Sequence, residues 1–405
     1  MDNKETAETQ NPDKETRGHG DTETQRQATE SSARLLQPNF FSPTSSAQLL
    51  QPNFFSPALE PRTRWFFLIA GFILVTAIIA GIGIGSATIA PDTVVRVIAS
   101  HMLPAGWVDI TGVREVDVAV VWLIRTPRVL VAVLVGAGLA IAGAQMQGLF
   151  QNPLASPDII GTSSGGALGA VIALATGLAT RSLWYMPMLA FIGALISLFV
   201  VYAISTQRGR TPVSTLLLAG VALNALIGAA TSFVITLKWV RWEVATSIIF
   251  WMMGGLDTRT WDHVCLVLPC VLLGTGIALM FTRELDVLLL GEEFALGLGI
   301  DVERAKQIIL TGAALLTGTA VAVSGIVGFV GLIIPHIVRL IIGPRHRYLL
   351  PASALTGASF LVVADILART LQSPEEIRLG IITAVFGAPF FLYLLLRHQQ
   401  AANSS

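Results

Sequence analysis

A run of about 19 apolar and small residues follows Arg128, and that length crosses the hydrocarbon core of a membrane. Arg125 and Arg128 stand at one end of the run, in Trp122-Leu-Ile-Arg-Thr-Pro-Arg. Amides and prolines stand at the other, from Gln145 through Gln147, Asn152, Pro153 and Leu154 to Pro157 and Asp158. An arginine at mid-bilayer costs about 2.5–3.5 kcal/mol on insertion scales. The spacing therefore predicts a helix whose two arginines sit at a membrane surface, one turn apart.

Composition extends this to the whole chain. Hydrophobic residues make up 53% and charged residues 13% of the 405, against about 25% charged in a soluble domain. The 26 basic and 26 acidic residues balance, so net charge points to no nucleic-acid partner. Cys265 and Cys270 share one apolar segment and fit no zinc or redox spacing; they read as buried thiols, and no metal site or cofactor is expected.

Residues 1–62 are of another kind, polar and acidic, and cannot bury enough surface to fold. They hold a tandem repeat of 14 residues, Ser31 to Thr44 and Ser45 to Ala58, differing only at Arg34/Gln48 and Thr44/Ala58. A disordered cytoplasmic leader is expected, with Leu-Leu-Gln-Pro-Asn-Phe-Phe as an alternative docking motif. From residue 63 to 405 the pattern is a transmembrane domain. Ten spans are expected, near 65–86, 128–147, 161–180, 185–205, 213–236, 264–282, 307–325, 329–342, 350–369 and 379–396. The segment 243–255 reads as interfacial, and 325–331 as a break between two helices or within one. Gly161, Gly165 and Gly169 share one helix face, which lets a neighbour approach closely. The class is thus all-α, a polytopic bundle with both termini cytoplasmic, surrounded by membrane lipid.

Energy for transport must come from outside this chain. Asp365, the main charge within a span, is four residues before Arg369, an ion-pair spacing. A carrier driven by protons or sodium usually keeps unpaired acids at mid-membrane, and none is evident. No phosphate loop of the form GxxxxGK[ST] occurs. An ATPase on a separate chain is the natural inference. Its docking place is the longest cytoplasmic loop within the bundle, where Gly291-Glu292-Glu293-Phe294-Ala295-Leu296-Gly297-Leu298-Gly299 reads as a short amphipathic helix bounded by glycines. Leu289, Phe294 and Leu298 either enter a groove on that partner or lie on their own bundle. His336 is either an iron ligand or a structural hydrogen-bonder, and Gln145 and Gln147 either line a path or pack between helices. The other classes considered are a stand-alone secondary carrier and an intramembrane protease, for which no buried Ser/His or Asp/Asp pair is evident.

From about Arg64 to Arg397 the chain resembles the FecCD family, the permeases of type II ABC importers for iron-siderophore, haem and cobalamin uptake. The resemblance rests on an ordered set: Arg125-Thr-Pro-Arg128, Gln147-Gly-Leu-Phe-Gln-Asn152-Pro-Leu154-Ala, Gly161-Thr-Ser-Ser-Gly165, Leu216-Leu-Leu-Ala-Gly220, Trp251-Met-Met-Gly254-Gly, Gly291-Glu292-Glu293-Phe-Ala295, Gly328-Phe-Val-Gly331-Leu-Ile-Ile-Pro335-His336, Ala364-Asp365-Ile-Leu-Ala-Arg369 and Gly387-Ala-Pro389. It implies that Arg125, Arg128 and Arg369 receive glutamates of an extracytoplasmic binding protein. It implies that Gly291, Glu292, Glu293, Ala295, Leu298 and Gly299 couple to two ATPase subunits, and that Asn152, Leu154 and Ser214 belong to cytoplasmic gates. A second copy or a related permease would complete the path in the plasma (inner) membrane, with no covalent chemistry on this chain. A ferric siderophore is the expected cargo, haem or cobalamin the alternative. Arg378 departs from the family, many of whose members have proline there, and is expected to add a cation beside Arg369.

Overall fold

The computed structural model describes residues 61–85, 89–104, 107–206, 210–237 and 240–403. The tandem repeat lies outside them. The described chain is all-α, and each of the ten expected spans falls on a helix. Seven helical segments are long and apolar enough to cross a membrane: α1 (Pro61–Gly83), α3 (Glu115–Leu149), α5 (Tyr185–Ser205), α6 (Val213–Thr236), α8 (Trp261–Met280), α11 (Val302–Ser324) and α13 (His346–Thr370). Three shorter apolar helices complete the ten: α4 (Thr162–Ala175), α12 (Val330–Ile342) and α14 (Leu379–Asn403), the last apolar as far as Tyr393. The longer connecting helices between them are α2 (Pro91–Met102), α7 (Trp242–Met252), α9 (Thr282–Leu288) and α10 (Glu292–Gly297).

The centre of the bundle is α3, α11 and α13, whose apolar windows are 78%, 78% and 61% buried, against 17% to 33% for α1, α5, α6 and α8. Small residues make this possible. A Cβ on Gly136 would collide with the carbonyl of Gly357, and one on Gly143 with that of Gly331, so α13 and α12 each touch α3 backbone to backbone. The face of Gly165 and Gly169 does the same against Gly193 and Leu189 of α5, as its spacing predicts.

Several expectations need correction. The helix carrying Arg125 and Arg128 begins at Glu115, so the two arginines lie inside a helical run. Pro127 does not end the run because the chain widens to a π-turn over Val120–Arg125. There the Thr126 N–H and hydroxyl both bond the Val121 carbonyl, leaving room for a ring that has no N–H to offer. The 21 steps from Arg128 to Leu149 still rise about 32 Å, so the arginines remain at one edge of the membrane. The third span is shorter than expected. It starts at Thr162, as expected, but ends at Ala175, and Gly177, at φ +72°, follows its end. Cys265 is exposed and Cys270 half-buried, because both lie on the flanks of α8 rather than facing the core. The break at 325–331 separates two helices, α11 and α12, with Phe329 in the left-handed region before α12.

If backbone contact between α3 and α12 sets the packing, Gly143→Val should cost at least about 3 kcal/mol, since no rotamer change relieves a clash with a carbonyl. Gly276→Val, on α8 where a Cβ meets nothing within 4 Å, should be near neutral. Thermal unfolding of the detergent-purified protein checks both; equal melting temperatures for the two variants would refute the close contact.

Candidate functional site

At one end of the bundle Arg125, Arg128 and Arg369 come together, as buried groups rather than the surface cations expected. Their residues are 5%, 9% and 7% exposed. The cause is the end of α1. The last carbonyls of a helix have no intrahelical partner, and they carry the negative end of its dipole. Arg125 donates Nη1 to the carbonyls of Ile82 and Gly83 at 2.9 and 2.8 Å. Arg369 donates Nη2 to Gly81 at 2.9 Å and Nη1 to Ile84 at 3.1 Å. The two arginines thus cap one helix.

Arg128 takes a different set. Its Nη2 and Nε donate to Asp365 Oδ1 at 2.8 and 3.1 Å, and its Nη1 and Nη2 hold Glu376 in a fork at 2.8 and 2.9 Å. Asp365 also pairs with Arg369 at 3.1 Å, the pair its spacing predicts. Bidentate guanidinium–carboxylate pairs are among the stronger polar contacts. Asp365 is 1% exposed, whereas the Glu376 side chain is 35% exposed. Arg378 is engaged elsewhere, 3.3 Å from Asp257 and 4.6 Å from the centre of the Phe250 ring. Arg259, in the loop before α8, donates Nε to the Val323 carbonyl at 2.6 Å, and burial pushes its guanidinium below its ordinary value against the pull of Asp257.

At the opposite end of the bundle the segment expected to dock an ATPase is a helix pair, α9 and α10, hinged at Gly291. There φ is +112° and ψ 153°, a conformation open to glycine alone. Gly299, at φ +78°, ends it. Packing on its own bundle holds for part of this segment. Ala295 is fully buried and Leu289 is 7% exposed, so they pack on the bundle. Glu293, Phe294, Leu296 and Leu298 face outward. Glu292 is not free: its Oε2 accepts from Lys306 Nζ at 2.8 Å.

The two segments expected to form gates are tied to this region by hydrogen bonds. In the first, Asn152 Oδ1 accepts the Leu154 N–H at 2.9 Å, a local turn that fixes the loop. Gln151 Nε2 reaches the carbonyl of Leu288, at the end of α9, at 2.6 Å. In the second, Ser214 is exposed in the first turn of α6, just after the buried Thr211. Thr211 donates its N–H to Glu303 at 3.1 Å. His346 binds Asp286 of α9 through Nδ1 at 2.7 Å and through its backbone N–H at 2.8 Å. Gln147 donates to the Leu332 carbonyl at 2.8 Å, which favours packing for that amide.

The sequence reading misses Glu376, Gln151, Asp286, His346 and Lys306. Arg128 and Glu376 are 248 residues apart, and no local spacing connects them. Lys306 alone left a signal, since Glu303 lies three residues before it on one helix face. Among the described residues no group of three or more His, Cys, Asp and Glu is placed to hold a metal ion.

Comparison with known proteins gives a consistent picture. The sequence pattern of the FecCD transport family matches residues 73–397. A cobalamin import permease of Halobacterium salinarum is 49% identical over 284 residues, 70% of this chain and 75% of its own. A hemin transport permease of Yersinia pestis is 43% identical over 288 residues, 69% and 84% of the two chains. A ferric citrate import permease of Bacillus subtilis is 39% identical over 328 residues, 81% and 93%. Among solved structures, a metal-chelate type ABC transporter in an inward-facing conformation matches with a TM-score of 0.72 and 31% identity, over 82% of this chain and 99% of that one.

Removing Arg128 should leave Asp365 buried beside one guanidinium instead of two. Arg128→Gln is expected to lower stability by about 3–5 kcal/mol, and Asp365→Asn added to it should recover part of the loss. A double-mutant cycle on thermal unfolding in detergent measures this; strictly additive effects would mean that the pair contributes nothing.

Proposed function

Since the chain belongs to the FecCD transport family and is an ABC importer permease, a multi-pass membrane protein, we propose that it forms the translocation path with a second copy of itself or a related permease. Two ATPase subunits bind the cytoplasmic face and one binding protein the outer face. The chain lies in the plasma membrane with both termini cytoplasmic; seven long and three shorter apolar helices make an even number of spans, which puts the termini on one side. The observation that carries the reading is α10. One face rests on the bundle through Ala295, and the other offers Glu293, Phe294, Leu296 and Leu298 to a partner. Burial of such apolar side chains in a groove is the usual source of docking affinity. Polar bonds tie the coupling segment to both gate segments, through Gln151 and through Lys306. ATP-driven movement of the partner then shifts α9 and α10 against the fixed centre of the bundle and alternates the gates at Asn152, Leu154 and Ser214.

For the outer face, Arg125, Arg128 and Arg369 take part in docking as a preorganised group. Their carbonyl and carboxylate partners hold them in place, and the half-exposed Glu376 is the exchangeable one. An acidic side chain of the binding protein arriving at Arg128 takes the place of Glu376. Such charge pairs chiefly set orientation and association rate, and they weaken with salt.

The cargo we propose is a whole metal chelate. The identity to a cobalamin permease favours a corrinoid over the ferric siderophore expected from the sequence. Proteoliposomes carrying permease, ATPase and binding protein should accumulate radiolabelled cyanocobalamin in an ATP-dependent way, with ferric siderophore as the competing probe. Accumulation of the siderophore alone would overturn the corrinoid assignment.

Docking through α10 has its own test. Phe294→Asp with Leu298→Asp should reduce copurification of the ATPase about ten-fold or more while the permease still inserts, as expected when two apolar anchors are lost. Undiminished copurification would contradict the proposed coupling face.

A further inference from the structure

Three cytoplasmic elements meet at Lys306, in the second turn of α11. Its side chain is 4% exposed. An ammonium group has three protons to donate, and three acceptors surround this one. Glu292 Oε2 of α10 is at 2.8 Å, Glu303 Oε1 of α11 at 3.2 Å, and the carbonyl of Thr211, in the loop before α6, at 3.0 Å. Thr211 is gripped a second time, through its N–H to Glu303, and its hydroxyl is 2.9 Å from that of Thr206. Ser214 of the second gate follows in the next turn of chain.

We propose that Lys306 is a positioning residue of the coupling apparatus, a strut that carries displacement of α10 into the Thr211 loop and so to the gate at Ser214. This rests on the reading that α10 docks the ATPase. The physical reason is desolvation. A buried ammonium that loses a carboxylate is strongly penalised, so when Glu292 moves, Lys306 follows it, and the Thr211 carbonyl follows Lys306. The first gate is held to the segment by one neutral bond, Gln151 to Leu288. Charge-assisted bonds are roughly twice as strong as neutral ones, so the second gate is the more stiffly driven of the two.

The test uses the permease–ATPase complex in proteoliposomes, with Cys265 and Cys270 replaced by serine and Ser214→Cys as the only reporter. A membrane-impermeant maleimide added on the cytoplasmic side reads gate exposure, without nucleotide and with ATP plus orthovanadate. With Lys306 present, the labelling rate should differ about five-fold or more between the two states. Lys306→Gln should shrink that difference below about 1.5-fold while ATPase copurification stays within about two-fold, and Lys306→Arg should restore most of the response. Glu292→Gln offers a second cut of the same link, with Glu303 still neutralising the ammonium, and should show the same loss of response. A nucleotide response that survives both Lys306→Gln and Glu292→Gln overturns the strut and leaves ATPase docking standing. Absence of ATPase copurification with Lys306 intact overturns the docking reading and the strut with it.

Discussion

The contact between Arg128 and Asp365 holds the most consequential charges in the molecule. A carboxylate 1% exposed at the edge of a bilayer needs a partner. Here it has two, Arg128 of α3 and Arg369 of its own helix. That requirement latches α3 to α13 at the outer end. Below the latch, Gly136 and Gly357 bring the two backbones together. At the inner end, Gly148 leaves just enough room for the His346 ring. The same guanidinium layer also ends α1, whose carbonyls Arg125 and Arg369 cap. One set of ionic contacts therefore fixes the register of three helices.

A closely packed centre would give α9 and α10 something to move against in the proposed coupling. Asp286 of α9 binds His346 at the foot of α13, while α10 beyond the Gly291 hinge holds to the bundle by Ala295 and Lys306. The bundle is braced by backbone contact and buried charge; α9 and α10 are attached largely by a few polar bonds. Elements that move are drawn from the less densely packed parts of a protein. The exposed side of α10 carries Phe294, Leu296 and Leu298 beside Glu293, and the segment is bonded to the loops of Gln151 and Thr211, an arrangement suited to the proposed passage of motion from a partner to a path.

Much of this was legible in the sequence, and the reasons are local. Apolar length marked the spans, glycine spacing marked the face of α4 that meets α5, and the interval from Asp365 to Arg369 marked an ion pair. Gly291 and Gly299 marked the ends of the coupling helix. What escaped depends on contacts between distant segments. Arg125 looked like a surface cation because the carbonyls it caps belong to α1, and carbonyls leave no trace in a residue pattern. Glu376, two residues before the Arg378 that departs from the family pattern, left no signal of its own, yet it pairs with Arg128. The extension of α3 back to Glu115 was hidden by Pro127, which reads as a helix start unless the π-turn before it is known.

The division into a fixed centre and a moving coupling segment is tested most directly by pulsed electron–electron resonance between spin labels in complexes carrying one labelled copy. Leu123 of α3, Val363 of α13 and Leu296 of α10 are 58%, 43% and 56% exposed and accept a label without disturbing the core. Between nucleotide-free and ATP-bound states, the Leu123–Val363 distance should stay constant to within about 2 Å, while the Leu296–Val363 distance should change by about 4 Å or more, the scale of a hinged element. A Leu123–Val363 distance that shifts as far as the Leu296–Val363 distance would contradict it, because the latched helix pair would then be part of what moves.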